Sequence, residues 1–197
     1  MNHLAHLFLS GDQPEIIVGN FITDMLSPKE QKKVQGLYQI GIQLHLYIDQ
    51  TIDHHPVYKK SIDLIKGRQG RYAPVVADIY YDYLLSHHWN EYSDHTYHTF
   101  KEKMYDVLKN HLPPDISEKI PERIGTMVER DFLSSYQSND HIQSTFGFLA
   151  KRAKFSHRFD LAHQDYHEMF NDLKLHFHEI FPQMIHLTEK FRNSRIG

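Results

Sequence analysis

Residues 72–89, YAPVVADIYYDYLLSHHW, decide the fold class. Val75, Val76, Ile79, Tyr83 and Leu84 recur at helical spacing. The stretch is the most apolar of the chain, so it reads as a helix that is largely buried. Asp78 and Asp82 lie within it. A buried carboxylate is costly unless it is paired or binds a metal. The pair is therefore more telling here than on a polar helix.

Working outward, the apolar spacing stays helical. Leu4, Leu7 and Phe8 form a first short stripe. Ile16, Ile17, Asn20, Phe21 and Asp24 form a second, with Pro14 near its start. Ser27-Pro28 is expected to open a longer helix running to about Asp53, with Leu37, Ile40, Leu44 and Ile48 as its stripe. Pro56 limits that helix, because the residue before a proline disfavours the α region. A helix from Val57 to Lys66 follows, with Gly67 and Gly70 marking a break. Beyond Trp89, Tyr97 to Leu112 reads as a helix stopped by Pro113-Pro114. Ser117 to Tyr136 reads as another, with Ser117 as N-cap and Pro121 near its start. His141 to Ala150 is a third. A long helix is expected from about Leu161 to Arg192, kinked or divided at Pro182. Tyr166, Met169, Phe170, Leu173, Phe177, Phe181 and Met184 line one side of it as core packing. No strand, linker, repeat or low-complexity segment is visible. The expected fold is all-α, a compact helical bundle forming a single domain over residues 1–197.

Composition narrows the function. With 197 residues, 40% of them hydrophobic, the chain suits one globular domain with a sizeable core. A formal charge of -3 carries no nucleic-acid signature, so no nucleic-acid partner is expected. The absence of cysteine excludes disulfides, thiolate metal sites and cysteine nucleophiles. The opening MNHLAHLFLSGDQ has no basic leader and no apolar run long enough to span a bilayer. A soluble, cytoplasmic protein without a membrane partner is the expectation. No phosphate loop, dinucleotide fingerprint or serine elbow is present. His167-Glu168 and His178-Glu179 begin like zincin motifs, but Asn171 and Pro182 stand where the second histidine would be. Of the 17 histidines, His95, His98, His111, His141, His157, His163, His167 and His186 lie in polar surroundings and read as surface residues.

What remains is oxygen and imidazole ligands on several helices. His45, Asp49 and Asp53 step by four residues, as do Asp78 and Asp82. Such steps put Cβ atoms roughly 5–6 Å apart on one face, where like charges conflict. A bound cation removes that conflict, and Asp and His are common ligands of Mn, Fe and related ions. Asn20 and Asp24 share a face of the second helix, His6 lies on the first, and His88 follows Asp82 by about a turn and a half. Inward Asp and His side chains from different helices can build a metal site. The expected ligands are Asp24, His45, Asp49 and Asp78, with His6, Asp53 and Asp82 as further ligands or their immediate supports. The competing reading makes the carboxylates solvated helix faces and His6 a hydrogen-bonded core histidine.

The ordered set of motifs resembles the acyl carrier protein phosphodiesterase family. The matching residues begin with Met1-Asn2-x-Leu4-Ala5-His6-Leu7 and Gly19-Asn20-Phe21-x-x-Asp24. They continue with Gly41-Ile42-x-Leu44-His45-x-x-Ile48-Asp49-x-x-x-Asp53. Then comes Arg71-x-Ala73-Pro74-Val75-x-x-Asp78-x-x-x-Asp82-x-x-Leu85-x-x-His88-Trp89. Ala150-x-Arg152 and Phe181-Pro182-x-Met184 complete it. The resemblance implies an HD-type phosphohydrolase fold and a divalent metal, with Mn²⁺ expected and Mg²⁺ or Fe²⁺ as alternatives. It implies an enzyme that hydrolyses holo acyl carrier protein to apo carrier and 4'-phosphopantetheine by metal-activated water. One departure stands out: no His-Asp dipeptide occurs in the chain.

On this reading Asp49, Asp78 and His88 are the expected catalytic groups. His88 would protonate the leaving serine or serve as a ligand. Arg71 and Arg152 would neutralise the phosphate, since a guanidinium can hold two of its oxygens. An acidic carrier would dock on Lys66, Arg68 and Arg71, or on Lys151, Arg152 and Lys154. Ordinary solvated faces are the plain alternative for all of these. Two other functions stay open: a metal phosphohydrolase of a nucleotide or other small phosphodiester, and a non-enzymatic helical binding module.

Overall fold

Helix follows helix along the computed structural model, which describes residues 1–196 apart from the side chains of residues 139–141. The expected surface position of His141 falls on one of those side chains and so lies outside the described residues. The helices are α1 (His3–Leu9), α2 (Pro14–Ile22), α3 (Pro28–Gln31), α4 (Leu37–His54), α5 (Pro56–Gln69) and α6 (Ala73–His87). They continue as α7 (Tyr97–Asn110), α8 (Lys119–Glu129), α9 (Asn139–Arg152), α10 (Ala162–Glu168) and α11 (Phe170–Ile196). Short 3-10 turns join several of them, and no strand occurs among the described residues. The all-α expectation holds. No helix is long and apolar enough to cross a membrane.

The apolar stretch at 72–89 forms the central helix α6. It buries Val76, Ile79, Tyr80, Tyr81, Tyr83, Leu84 and Leu85, and Asp82 with them, while Val75 faces solvent. Fully burying a large apolar side chain contributes roughly 1.5–3 kcal/mol. The tyrosines keep that gain only if their hydroxyls find acceptors. Tyr80 donates to the Ala162 carbonyl at 2.5 Å, and the Tyr81 hydroxyl pairs with Ser61 Oγ at 2.8 Å.

Asp82 also solves a backbone problem. The first N–H groups of a helix have no intrahelical partner, and the Asn2 side chain makes no cap on α1. Asp82 reaches across from α6 and accepts from the N–H groups of Asn2, Leu4 and Ala5 at 3.2, 2.7 and 3.2 Å. One side chain thus fixes α1 on α6.

The α2–α4 crossing positions the functional site. A Cβ at Gly19 would collide with the Tyr38 carbonyl, and one at Gly41 with the Ile16 carbonyl. The two glycines let the helix backbones meet directly. As a result Asn20 on α2 lies against His45, one turn beyond Gly41 on α4.

Several boundaries differ from the expected ones. The helix expected from Ser27 to Asp53 is two helices. Ser27 and Glu30 form a capping box that opens α3, and Gly36, at φ 63°, separates it from α4. Gly67 lies inside α5, and the break comes at Gly70, at φ 55°. The helix expected from Ser117 to Tyr136 starts after Glu118, whose side chain makes no capping bond, and ends at Glu129, because Asp131 adopts a left-handed φ of 48°. The long C-terminal helix is divided at Met169 rather than at Pro182. Pro182 sits inside α11, whose neighbours Phe177, Ile180, Phe181 and Met184 are all buried.

Candidate metal centre

His6 of α1 and His45 of α4 stack, with ring centroids 4.2 Å apart and 28° between planes. Asn20 sits behind both, completely buried. Its Oδ1 lies 2.8 Å from His6 Nδ1 and 3.1 Å from His45 Nδ1. Its Nδ2 donates to the His6 carbonyl and to Ser10 Oγ, at 3.1 and 2.8 Å. With Nδ2 committed as a donor, Oδ1 can only accept, so each imidazole donates from Nδ1. His45 Nδ1 also meets the Asn20 backbone carbonyl at 2.9 Å. Both Nε2 atoms are thereby left for the opposite side.

There they meet carboxylates. Asp49, one turn after His45, places Oδ1 3.2 Å from His6 Nε2 and Oδ2 3.2 Å from His45 Nε2. Asp24, in the 3-10 turn at Thr23–Met25, places Oδ1 3.3 Å from His45 Nε2. Burial opposes a charge on His45, but Asp24 and Asp49 outweigh it and raise its pKa to about 9. Burial and the neighbouring His45 hold His6 below its ordinary value, against the pull of Asp49. Burial works against ionised Asp49, yet the two imidazoles pull its pKa well below the usual carboxylate range. The hydrogen bond from His45 lowers Asp24 in the same way.

This donor set fits a divalent metal. His6, His45 and Asp49 offer ligand atoms that all lie within 4.8 Å of one another. A cavity of about 20 Å³ adjoins them, lined by His3, His6, Asn20, Phe21, Asp24 and His45 among others. That is room for about one water-sized particle. A polar partner behind each imidazole is typical of histidines that hold a metal. The side chains of Asp49 and Asp24 are 43% and 73% exposed, so the carboxylate edge opens to solvent.

The structure brings Asp24, His45, Asp49 and His6 into contact, while Asp53 and Asp78 lie beside this cluster and the remaining expected site residues stand apart. Asp78 Oδ1 binds the Met1 ammonium at 2.6 Å and the Tyr58 hydroxyl at 2.5 Å. Asp82 is occupied by the backbone of α1, and burial pushes its carboxyl up to about 7. Asp53 borders a separate cavity of about 400 Å³ with Tyr58, Lys59 and Pro74. His88 pairs with Glu91 at 2.7 Å. Arg68 is held by Asp165 and Glu168 at 2.8 and 2.6 Å. Lys66 is exposed on α5. Arg71 stacks on Phe155 at 3.8 Å and Arg152 lies 5.4 Å from the Phe148 ring. Among the described residues neither arginine shares a hydrogen bond or ion pair with the histidine cluster.

One residue lining the site, and one whose charge acts on it, carried no sequence signal strong enough to mark them. His3 lines the small cavity, and burial lowers its pKa to about 4. Arg123 of α8 carries a charge near enough to His3 to add to that lowering. His3 is one turn from His6, a spacing that could have flagged it. Arg123 is exposed on α8, and its charge comes near His3 only through the tertiary fold.

A family model described as acyl carrier protein phosphodiesterase matches residues 1–184. Curated relatives named acyl carrier protein phosphodiesterase from Escherichia coli strains CFT073 and S88 are each 24% identical over 193 residues. Each alignment covers 94% of this chain and 96% of the relative. No solved structure matches.

Proposed function

Because the chain belongs to the acyl carrier protein phosphodiesterase family, we propose that it hydrolyses holo acyl carrier protein to apo carrier and 4'-phosphopantetheine. The observation that supports this most is where the family's pattern converges. His6, Asp24, His45 and Asp49 fall within the matched span and meet at one solvent-open edge. We assign these four as the residues that would hold a divalent metal, Mn²⁺ first among the candidates. When bound, such an ion polarises a phosphoryl oxygen and makes water nucleophilic at neutral pH.

The chain's own residues do the rest. Asn20 holds both imidazoles with Nε2 toward the carboxylates. His45, whose pKa Asp24 and Asp49 raise to about 9, would give up its proton where a cation takes its place, as ligating histidines must. The exposed edges of Asp24 and Asp49 allow a phosphodiester carried on a protein surface to approach. Arg123 joins Arg71 and Arg152 as a candidate to neutralise the phosphate.

Carrier docking is assigned to the surface that gathers Arg71, Lys154 and Arg152. Tyr72 accepts from the N–H groups of Lys154 and Phe155 at 3.1 and 3.2 Å, tying the turn before α6 to the segment after α9. Phe148 and Phe155 are 56% and 55% exposed beside the arginines. An acidic carrier suits such a basic, aromatic surface. Arg68 is less suited, since Asp165 and Glu168 already engage it.

The test is mass spectrometry of holo carrier incubated with the purified protein and Mn²⁺. The expected result is loss of the prosthetic group, leaving apo carrier with an intact serine, blocked by chelator and restored by Mn²⁺. Cleavage of small phosphodiesters with several holo carriers left intact would replace the carrier by a smaller substrate. No cleavage of either with any divalent ion would overturn the enzyme reading.

A further inference from the structure

We propose that His88, Glu91 and His178 form a separate binding site for a divalent late-transition-metal ion of the zinc class. The three come from different elements: His88 caps the C-terminus of α6, Glu91 ends the 3-10 turn Trp89–Glu91, and His178 lies on α11. Their ligand atoms all lie within 4.8 Å of one another. Glu91 bridges the pair, with Oε1 2.7 Å from His88 Nδ1 and Oε2 3.5 Å from His178 Nδ1. The two rings are edge to face, 4.8 Å between centroids. A tetrahedral ion with ligand bonds of about 2.0–2.2 Å sets its ligand atoms roughly 3.3–3.6 Å apart. Small side-chain adjustments bring these three to that spacing.

The chemistry of the donors points the same way. Two imidazoles and one carboxylate suit zinc and its neighbours better than magnesium or calcium. The Tyr92 hydroxyl, 2.6 Å from His178 Nδ1, occupies the ligating atom in the metal-free fold and would yield it to an ion. Access is open: a cavity of about 340 Å³ borders His88 and Glu91. A plain His88–Glu91 ion pair would need no third partner. The site shares no residue with the His6–His45–Asp49 cluster and does not rest on the phosphodiesterase reading.

Trp89 makes the proposal testable. It is the chain's one tryptophan and directly follows His88. Ni²⁺ titrated into the full chain should quench Trp89 emission saturably, and Zn²⁺ should reverse the quench by competition. Loss of a direct ligand should weaken binding at least as much as the roughly 10–100-fold typical of losing an outer partner. His178→Ala and the exposed-site variant Glu91→Gln should therefore shift the quenching midpoint by about tenfold or more. Asp49→Asn should leave it in place. Circular dichroism of each variant confirms folding, and His178→Gln serves if His178→Ala does not fold. A wild-type curve in both His178 and Glu91 variants would overturn the site. So would quenching that moves with Asp49→Asn instead, or no saturable quenching at all.

Discussion

Replacing Asn20 by alanine isolates what holds the candidate metal centre in shape. The change removes four side-chain contacts: Oδ1 to His6 Nδ1 and to His45 Nδ1, and Nδ2 to the His6 carbonyl and to Ser10 Oγ. The consequences for the two histidines differ. His45 Nδ1 keeps the Asn20 backbone carbonyl at 2.9 Å, so its tautomer survives. His6 Nδ1 loses the acceptor that orients it. A buried polar group left unsatisfied costs roughly 1–3 kcal/mol. With His6 the main group affected and partial rescue by water, the expected loss of stability is about 1–3 kcal/mol. Mn²⁺ affinity should fall roughly 10–100-fold, the usual effect of losing a partner behind a ligand. Because the damage passes through His6, Asn20→Ala and His6→Ala should be strongly non-additive. A double-mutant cycle on Mn²⁺ affinity should give a coupling of about 1–2 kcal/mol. Calorimetry with Mn²⁺, and thermal melts with and without it, supply the numbers. A folded Asn20→Ala protein with wild-type Mn²⁺ affinity would refute the reasoning, as would additivity with His6→Ala.

Four other outcomes follow from the same geometry. His45 is raised from 6.5 to about 9 in the metal-free fold. Its stabilising contribution is therefore complete below about pH 6.5 and lost as pH climbs through about 9, roughly 3 kcal/mol in all. Urea unfolding in chelator at pH 6 and 9.5 should show that loss, Mn²⁺ should shrink it, and a gain on raising pH would contradict the sign. Gly41→Ala should destabilise the protein and weaken Mn²⁺ binding, although Ala in a helix interior normally gains about 1 kcal/mol over Gly. A more stable Gly41→Ala protein would mean that the α2–α4 contact is not tight. Asp82→Ala should cost about 2–4 kcal/mol by stripping acceptors from three N–H groups at the start of α1. Its Mn²⁺ affinity per folded molecule should hold, and a selective loss of metal would return Asp82 to the ligands. Charge reversal of Arg71 together with Lys154 should raise the apparent KM for carrier and flatten its salt dependence. Unchanged carrier kinetics would move the docking surface elsewhere.

The fold was legible where periodicity and burial agreed. The stretch around Ile79 and Leu84 is apolar on nearly all sides, and only a central helix can bury that much. Boundaries were less legible, because they depend on backbone states that a hydrophobic stripe does not encode. Ser27-Pro28 signals a helix start, but nothing in the stripe from Leu37 onward reveals that Gly36 turns left-handed and divides the chain there. Pro182 illustrates the converse. Its propensity argues for a break, yet the buried residues on both sides of it outweigh one missing backbone hydrogen bond.

The site divides along a similar line. His45 and Asp49 share one helix, and their four-residue step survives folding directly. Asp78 and Asp82 have the same step on a more buried helix, which made them look like stronger ligands. A buried carboxylate needs a partner. The sequence does not distinguish a metal from the other partners available, an ammonium and a tyrosine for Asp78 and three helix N–H groups for Asp82. Asn20 shows the opposite limit. An asparagine among apolar residues gives little notice that it will orient two histidines from two other helices. That role exists only because Gly19 and Gly41 allow their backbones to touch. The centre is thus built on a close helix crossing. The arrangement of its histidines and carboxylates should be more sensitive to a methyl group at that crossing than to many changes on the exposed rim, where the carboxylates meet water.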